Sequence, residues 1–213
     1  LNETVKDVDV AFRNYRFDDG SSRVYDFFWN DFCDWYIEAS KLSLYSENDD
    51  EKDRATSLLL YLLEETLRLL HPFVSFVTEE IYQKLPDVDP ADGSDRSSAL
   101  IVGQYPQATS DREAPELADE FASLQEVVRS VRTLRSEFTI PPSMKLEFYV
   151  RFDPSFPHAA FLSENIDLLK LLTGSETVTV GTEAYARGGA IPVAASGLEV
   201  QVFIRDVIDV DAE

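Results

Sequence analysis

Between Val24 and Lys41 the chain reads VYDFFWNDFCDWYIEASK, and no other stretch limits the fold as much. It holds Tyr25, Phe27, Phe28, Trp29, Phe32, Trp35 and Tyr36, including both tryptophans of the chain, and its only cysteine, Cys33. No Gly or Pro interrupts it, so nothing breaks a helix, and it is too long for an ordinary strand. At about 3.6 residues per turn, Val24, Phe28, Phe32, Trp35 and Ala39 line one face, and Tyr25, Trp29, Cys33 and Tyr36 widen it. So broad an apolar girth predicts a helix touched by neighbours on several sides, the central rod of a helical bundle.

The flanking sequence supplies further rods. Val5, Val8, Phe12 and Tyr15 sit at helical spacing in Asn2 to Arg16. Asp18, Asp19 and Gly20 predict a turn, with Ser21 or Ser22 capping the aromatic helix, which runs to about Leu44. Glu47 to Asp53 is an acidic linker of five acids and one lysine, with Asp49 or Asp50 suited to cap the next helix. That helix, Ala55 to Leu70, carries Leu58, Leu59, Leu62, Leu63, Leu67 and Leu70. His71-Pro72 ends it, because the residue before a proline is pushed out of the helical region. A helix from Phe73 to Leu85 follows, with Phe73, Phe76, Val77, Ile81 and Leu85 expected inward. Pro86 to Ser98 reads as loop, Ala99 to Gly103 as a brief extended segment, and Gln107 to Pro115 as loop again. A long helix from Leu117 to Phe138 has the stripe Leu117, Phe121, Leu124, Val128, Val131 and Phe138, and Pro141-Pro142 stops it.

From there the period changes to two. Leu146, Phe148, Val150 and Phe152 alternate with Lys145, Glu147, Tyr149 and Arg151, the pattern of a half-buried strand. A helix from Phe156 to Leu172, a strand from Thr177 to Val180, and a hairpin of Ala190 to Ala194 with Leu198 to Arg205 around Ser196-Gly197 complete a small α+β part. The expected fold class is therefore mainly α: a helical bundle over residues 1–138, then a small α+β domain over 139–213.

The 213 residues suffice for one large domain or two small ones. One cysteine excludes a disulfide framework and fits a reducing compartment. No apolar run is long enough to span a bilayer. A first residue of Leu rather than Met predicts a piece of a longer protein. Nineteen basic residues face 40 acidic ones, a formal charge of −21. A negative field of that size opposes nucleic acid, whose phosphates are held by Lys and Arg. It fits a basic partner, a plain soluble module, or a source in high salt, where screening weakens the repulsion.

Catalytic signatures are missing. There is no Gly-rich phosphate loop and no Gly-x-Ser-x-Gly elbow, and one Cys with two His leaves no zinc set. The acidic pairs Glu64-Glu65 and Glu79-Glu80 read as solvated faces, His71 as a helix C-terminal cap, His158 as surface, and Cys33 as a buried apolar residue. No catalytic and no metal-ligating residue is expected. One segment breaks the acidic trend: residues 122–151 hold Arg129, Arg132, Arg135, Lys145 and Arg151 against Glu126, Glu137 and Glu147. The three arginines on the long helix step by three and share a drifting face. Physics allows two roles for them, pairing with local acids or contacting phosphate.

Several of these residues resemble a known family. Phe28-Trp29 with Phe32-Cys33-Asp34-Trp35-Tyr36-Ile37-Glu38 and Lys41 is similar to the signature helix of the anticodon-binding domain of class I valyl-tRNA synthetases. Leu69-Leu70-His71-Pro72-Phe73 with Phe76-Val77-Thr78-Glu79-Glu80-Ile81-Tyr82 resembles that family's next motif, and Tyr105-Pro106 its following marker. Val131-Arg132, Leu134-Arg135, Glu137 and Ile140-Pro141-Pro142 resemble the helix leading into the small appended domain. Ile208-Asp209-Val210-Asp211-Ala212-Glu213 looks like the entry to a coiled-coil arm. The resemblance implies a fragment that helps seat the anticodon arm of tRNA(Val), with the catalytic and editing domains of the same chain as partners. ATP with magnesium would serve the full-length enzyme and no cofactor this fragment. It implies tRNA contacts at Arg129, Arg132, Arg135 and Lys145, a cytoplasmic monomer with no membrane role, and acids turned away from the tRNA face as in a halophilic surface. The equivalent domain of the isoleucine enzyme and a protein-interaction module are the alternatives.

Overall fold

A computed structural model describes residues 1–86, 97–183, 189–195 and 197–203. The chain is mainly helical, with one small mixed sheet. It divides into two compact units, Leu1–Glu113 and Ala114–Glu213. The tail expected to enter a coiled-coil arm, and most of the loop expected from Pro86 to Ser98, lie outside the described residues.

In the first unit, α1 (Asn2–Arg13) packs on α2 (Phe17–Asp26). The turn between them falls at residues 14–16, earlier than the expected Asp18-Asp19-Gly20, with Tyr15 in the left-handed region at φ 57°. Asp18 and Asp19 sit instead in the first turn of α2, where the helix dipole favours carboxylates. Gly20 lies inside the helix because α2 approaches α1 closely there; a Cβ on it would stand 3.1 Å from the Phe12 ring.

The aromatic stretch is helical throughout, but Phe27–Ile37 is wound as a π-helix before α3 (Glu38–Leu44) resumes the ordinary winding. Val24, Phe27, Phe32 and Trp35 are buried. One edge of this helix stays open among the described residues. Tyr25 is 60 % exposed and Trp29 48 %. The looser winding brings Phe27 inward and leaves Phe28 half-buried, so the 3.6-residue periodicity misassigned part of the inner face.

Helix α4 (Asp49–Leu70) begins six residues before the expected Ala55. Its N-cap is Asn48 rather than Asp49 or Asp50: the Asn48 Oδ1 accepts from the Asp50 amide at 3.0 Å and the Glu51 amide at 3.4 Å. Of its leucines only Leu67 and Leu69 are fully buried, and Leu58 is exposed. After Leu70 the amides of Phe73 and Val74 both donate to the Leu70 carbonyl, which turns the chain and delays α5 to Ser75–Tyr82. That shift rotates α5. Thr78 and Tyr82 face inward with half-buried Phe73 and Leu85, whereas Phe76 (95 % exposed), Val77 and Ile81, all expected inward, face out. The Tyr82 hydroxyl donates to the Ser97 carbonyl at 2.7 Å. Two apolar clusters result: Val5, Val8, Val24 and Leu69, joined by Phe12, Phe73 and Tyr105, and Leu67 with Tyr82 and Leu100. Leu100–Val102, expected extended, is a short 3-10 turn.

In the second unit, α6 (Pro115–Glu137) starts with proline in its first turn and buries Leu124, Val127, Val128, Val131 and Leu134. Each such side chain contributes about 1.5–3 kcal/mol by leaving water. Leu117 and Phe138, at the two ends of the expected stripe, are exposed. This face packs on α7 (Ala159–Glu164), α8 (Ile166–Thr173), β3 (Ala190–Ala195) and β4 (Leu198–Phe203), so by packing the helix goes with the sheet. The expected single helix from Phe156 to Leu172 is broken at Asn165, whose side-chain amide donates to the Phe161 carbonyl at 2.8 Å and competes with the helical ladder.

The strand order is β2-β1-β4-β3. β1 (Leu146–Phe152) runs parallel to β2 (Ser175–Gly181) across the α7–α8 crossover, with Val150 opposite Val180. β1 is antiparallel to β4, with Val150 opposite Val200, and β3 and β4 form the expected hairpin. Tyr149, expected on the outer side of β1, is buried. Gly181 makes the room: a Cβ there would lie 2.6 Å from the tyrosine oxygen, which donates to the Glu183 carbonyl at 2.9 Å.

Candidate nucleic-acid interface

The basic residues singled out in the sequence all belong to the second unit. Arg135 is held by burying its neighbour Leu134 on α6, so its guanidinium projects beside the C-terminus of α8. There Nε donates to the Thr173 carbonyl at 3.1 Å and Nη2 to the Gly174 carbonyl at 3.1 Å. Nη1 reaches the Pro141 carbonyl at 3.2 Å, and Nη2 also reaches the Met144 carbonyl at 2.9 Å. The last carbonyls of a helix lack partners within it, and a cation suits that negative end. Arg132, one turn earlier, donates Nε and Nη2 to the Leu172 carbonyl at 3.1 and 3.0 Å. Burial lowers the Arg135 pKa from its ordinary value.

Arg129 is the outermost of the three. It is exposed, and its Nη2 lies 3.4 Å from Gln125 Oε1 on its own helix. Lys145 is exposed just before β1, and Arg151 on that strand lies 3.9 Å from Glu199 of β4. The helix thus brings the three arginines to one side, but uses two of them as ties to the backbone of α8. Nothing local in the sequence announces this, because the accepting carbonyls lie 38–40 residues further on.

Other candidates also find places. Glu64 and Glu65 do not form the expected solvated pair. Glu64 is paired with Arg68, both side chains being largely buried, and Arg68 also donates to the Gln104 carbonyl at 3.0 Å. Burial pushes the Glu65 carboxyl up, against the opposing pull of Arg68. Glu79 accepts the Leu100 amide at 2.9 Å, and Glu80 pairs with Lys84 at 2.7 Å. His71 meets the Thr78 hydroxyl through Nδ1 at 2.8 Å, and the half-buried His158 lies edge-on to the Phe156 ring. Cys33 is a half-buried free thiol, pushed up by burial and by Asp34. In the first unit an open groove of about 820 Å³ is lined by Leu1, Val5, Leu58, Tyr61, Leu62 and Arg112, among others. Among the described residues no group of three or more His, Cys, Asp or Glu stands together as a metal set, and no helix is long and apolar enough to cross a membrane.

Comparison with known proteins agrees with the resemblance in the motifs. Over its whole length the chain is 36 % identical to the valine–tRNA ligase of Bacillus subtilis, and over 99 % of it 40 % identical to that of Treponema denticola. It is 48 % identical to the Treponema pallidum enzyme over 74 % of its length. The chain spans 23 % of the length of the first two relatives. Residues 1–150 match the anticodon-binding domain of tRNA ligases, and the chain belongs to that family.

Proposed function

We propose that this chain is the part of a valine–tRNA ligase that seats the anticodon arm of tRNA(Val), while bond-making belongs to catalytic and editing domains elsewhere in the same protein. The observation that carries this reading is the family match over residues 1–150, together with relatives aligned along the entire chain. ATP with magnesium would serve the full-length, cytoplasmic, monomeric enzyme; this chain has no Gly-rich loop to cradle its phosphates. In this reading residues 1–138 are the anticodon-binding part and 139–213 the part that meets the tRNA stem, with α6 packing on the sheet of the latter.

The phosphate contacts fall on Arg129, Arg132, Arg135 and Lys145. Their geometry divides the work. Arg135 spends its donors on carbonyls and holds the shape of the strip, while exposed Arg129 and Lys145 meet the backbone of the RNA.

The test is tRNA binding by the full-length protein and its Arg129→Ala/Lys145→Ala variant at several salt concentrations. Loss of two phosphate contacts reduces the slope of log affinity against log salt by about two and weakens binding. Unchanged affinity with an unchanged slope overturns the assignment of these residues. A wild-type protein that prefers tRNA(Ile) would make it the isoleucine enzyme's counterpart, and one that binds no tRNA would leave a protein-interaction module.

A further inference from the structure

The aromatic stretch turns one edge outward. Tyr25, Asp26, Trp29, Asn30, Asp31 and Asp34 are exposed, whereas Val24, Phe27, Phe32 and Trp35 are buried. Steps of four and five along the helix align Tyr25 with Trp29 and Asp34, and set Asp26 and Asn30 beside them. The Tyr25 and Trp29 ring centroids are 6.3 Å apart at a 56° tilt, and the Phe28 ring braces Trp29 edge-on at 5.6 Å. The edge is therefore a supported pair of rings rather than loose side chains. From residue 24 to residue 40 there is no Lys or Arg, while Asp26, Asp31, Asp34 and Glu38 are all acidic.

This chemistry selects its occupant. Two open rings offer stacking, but the surrounding carboxylates repel phosphate, which argues against RNA and against an anionic lipid surface. A second copy would bring the same acids against themselves. A guanidinium suits both parts of the face, since it lies over an indole or phenol ring and pairs with a carboxylate in one plane. Charged, solvated acids beside aromatic rings are also what an arginine-rich partner surface complements.

We propose that the Tyr25–Trp29 edge is a docking face for an arginine-bearing segment of the same full-length protein, outside residues 1–213. The length of chain available supports that source, because the aligned region is only 23 % of the relatives' length. The inference rests on this chain being part of such a longer enzyme.

The test is hydroxyl-radical footprinting of the full-length protein, read at Trp29 by peptide mass spectrometry, with exposed Phe76 as internal reference. Docking buries an indole that is otherwise 48 % exposed, so its oxidation slows by about tenfold relative to a solvent-facing ring. The Asp26→Asn/Asp34→Asn variant, altered only at exposed positions, restores much of the oxidation, and so does molar salt. Cross-links from Asp26 or Asp34 then map to an arginine-bearing segment. Trp29 oxidised as fast as the reference ring overturns the proposal. Protection that arises only when tRNA is added, or only as protein concentration rises, overturns it in favour of RNA or a second copy. A normal tRNA(Val) preference without Trp29 protection sinks this inference alone, and loss of that preference sinks the functional reading instead.

Discussion

The two units of the chain differ in how many of their large apolar side chains they leave open. In the sheet unit, Leu146, Phe148, Tyr149 and Val150 occur consecutively but for Glu147, and all four are buried: the first, second and fourth share one face of β1 within a sheet that α6 and α8 pack on, and Tyr149 on the other face fits where Gly181 leaves it room. In the helical unit, Tyr25, Trp29, Tyr45, Leu58, Phe76 and Val77 are exposed although the sequence around them is richer in rings. Aromatic density alone does not mark a core. What marks it is a second element of the same chain placed to cover the residue. A strand with helices on it leaves few open positions, whereas a helix has more faces than its neighbours within 1–113 can cover.

The sharpest way to break this contrast is to truncate one phenylalanine in each unit. Phe148→Ala removes a ring from a closed core and is expected to cost about 3–5 kcal/mol. Phe76→Ala removes a ring from solvent and is expected to change stability by less than about 0.5 kcal/mol. Denaturant unfolding of both variants decides the matter, and equal losses would mean that α5 is covered after all.

A smaller effect separates the arginines of α6. Arg135→Ala leaves the Thr173, Gly174, Pro141 and Met144 carbonyls without their donor, at a cost of about 1–3 kcal/mol, while Arg129→Ala costs about 0.5 kcal/mol or less. Hydrogen exchange at the end of α8 would rise in the first variant only. If both variants melt together, the carbonyl ties carry no stability.

The smallest expected effect lies in the helical unit. The Tyr105 hydroxyl is buried with no hydrogen-bond partner among the described residues, and its pKa is pushed up to about 12, by burial first and by Asp9 second. The phenol of the unfolded chain ionises near 10, so between pH 10 and 12 the unfolded state binds fewer protons. Stability from this group is whole below pH 10 and is lost as pH rises through the folded pKa. Tyr105→Phe should therefore leave neutral stability unchanged or slightly higher and flatten the alkaline decline. A steeper decline in the variant would contradict this sign.

The sheet unit was largely legible because its signals are local: the two-residue alternation of β1, the Ser196-Gly197 pair in the sequence between β3 and β4, and Pro141-Pro142 after α6. Its exception, buried Tyr149, depends on Gly181 in a different strand, 32 residues further on. The helical unit was legible in its helices but less so in their faces. A delayed start at Ser75 rotated α5, and a π-wound segment shifted the inner side of the aromatic stretch, neither of which a fixed 3.6-residue period carries. For the candidate interface, the sequence brought out Arg129, Arg132, Arg135 and Lys145 as a basic strip. The carbonyls that hold Arg132 and Arg135 are main-chain groups, which no residue pattern can announce.

The Arg135 tie also bears on the medium in which such an acidic chain works. A surface pair such as Arg13 with Asp9 weakens as ions crowd around it. Hydrogen bonds from a guanidinium to helix-end carbonyls rest on short contacts partly shielded from those ions, and the guanidinium keeps its proton at any pH the protein survives. The joint between crossover and long helix is thus indifferent to both brine and acidity, and leaves the rest of the surface free to vary its charge.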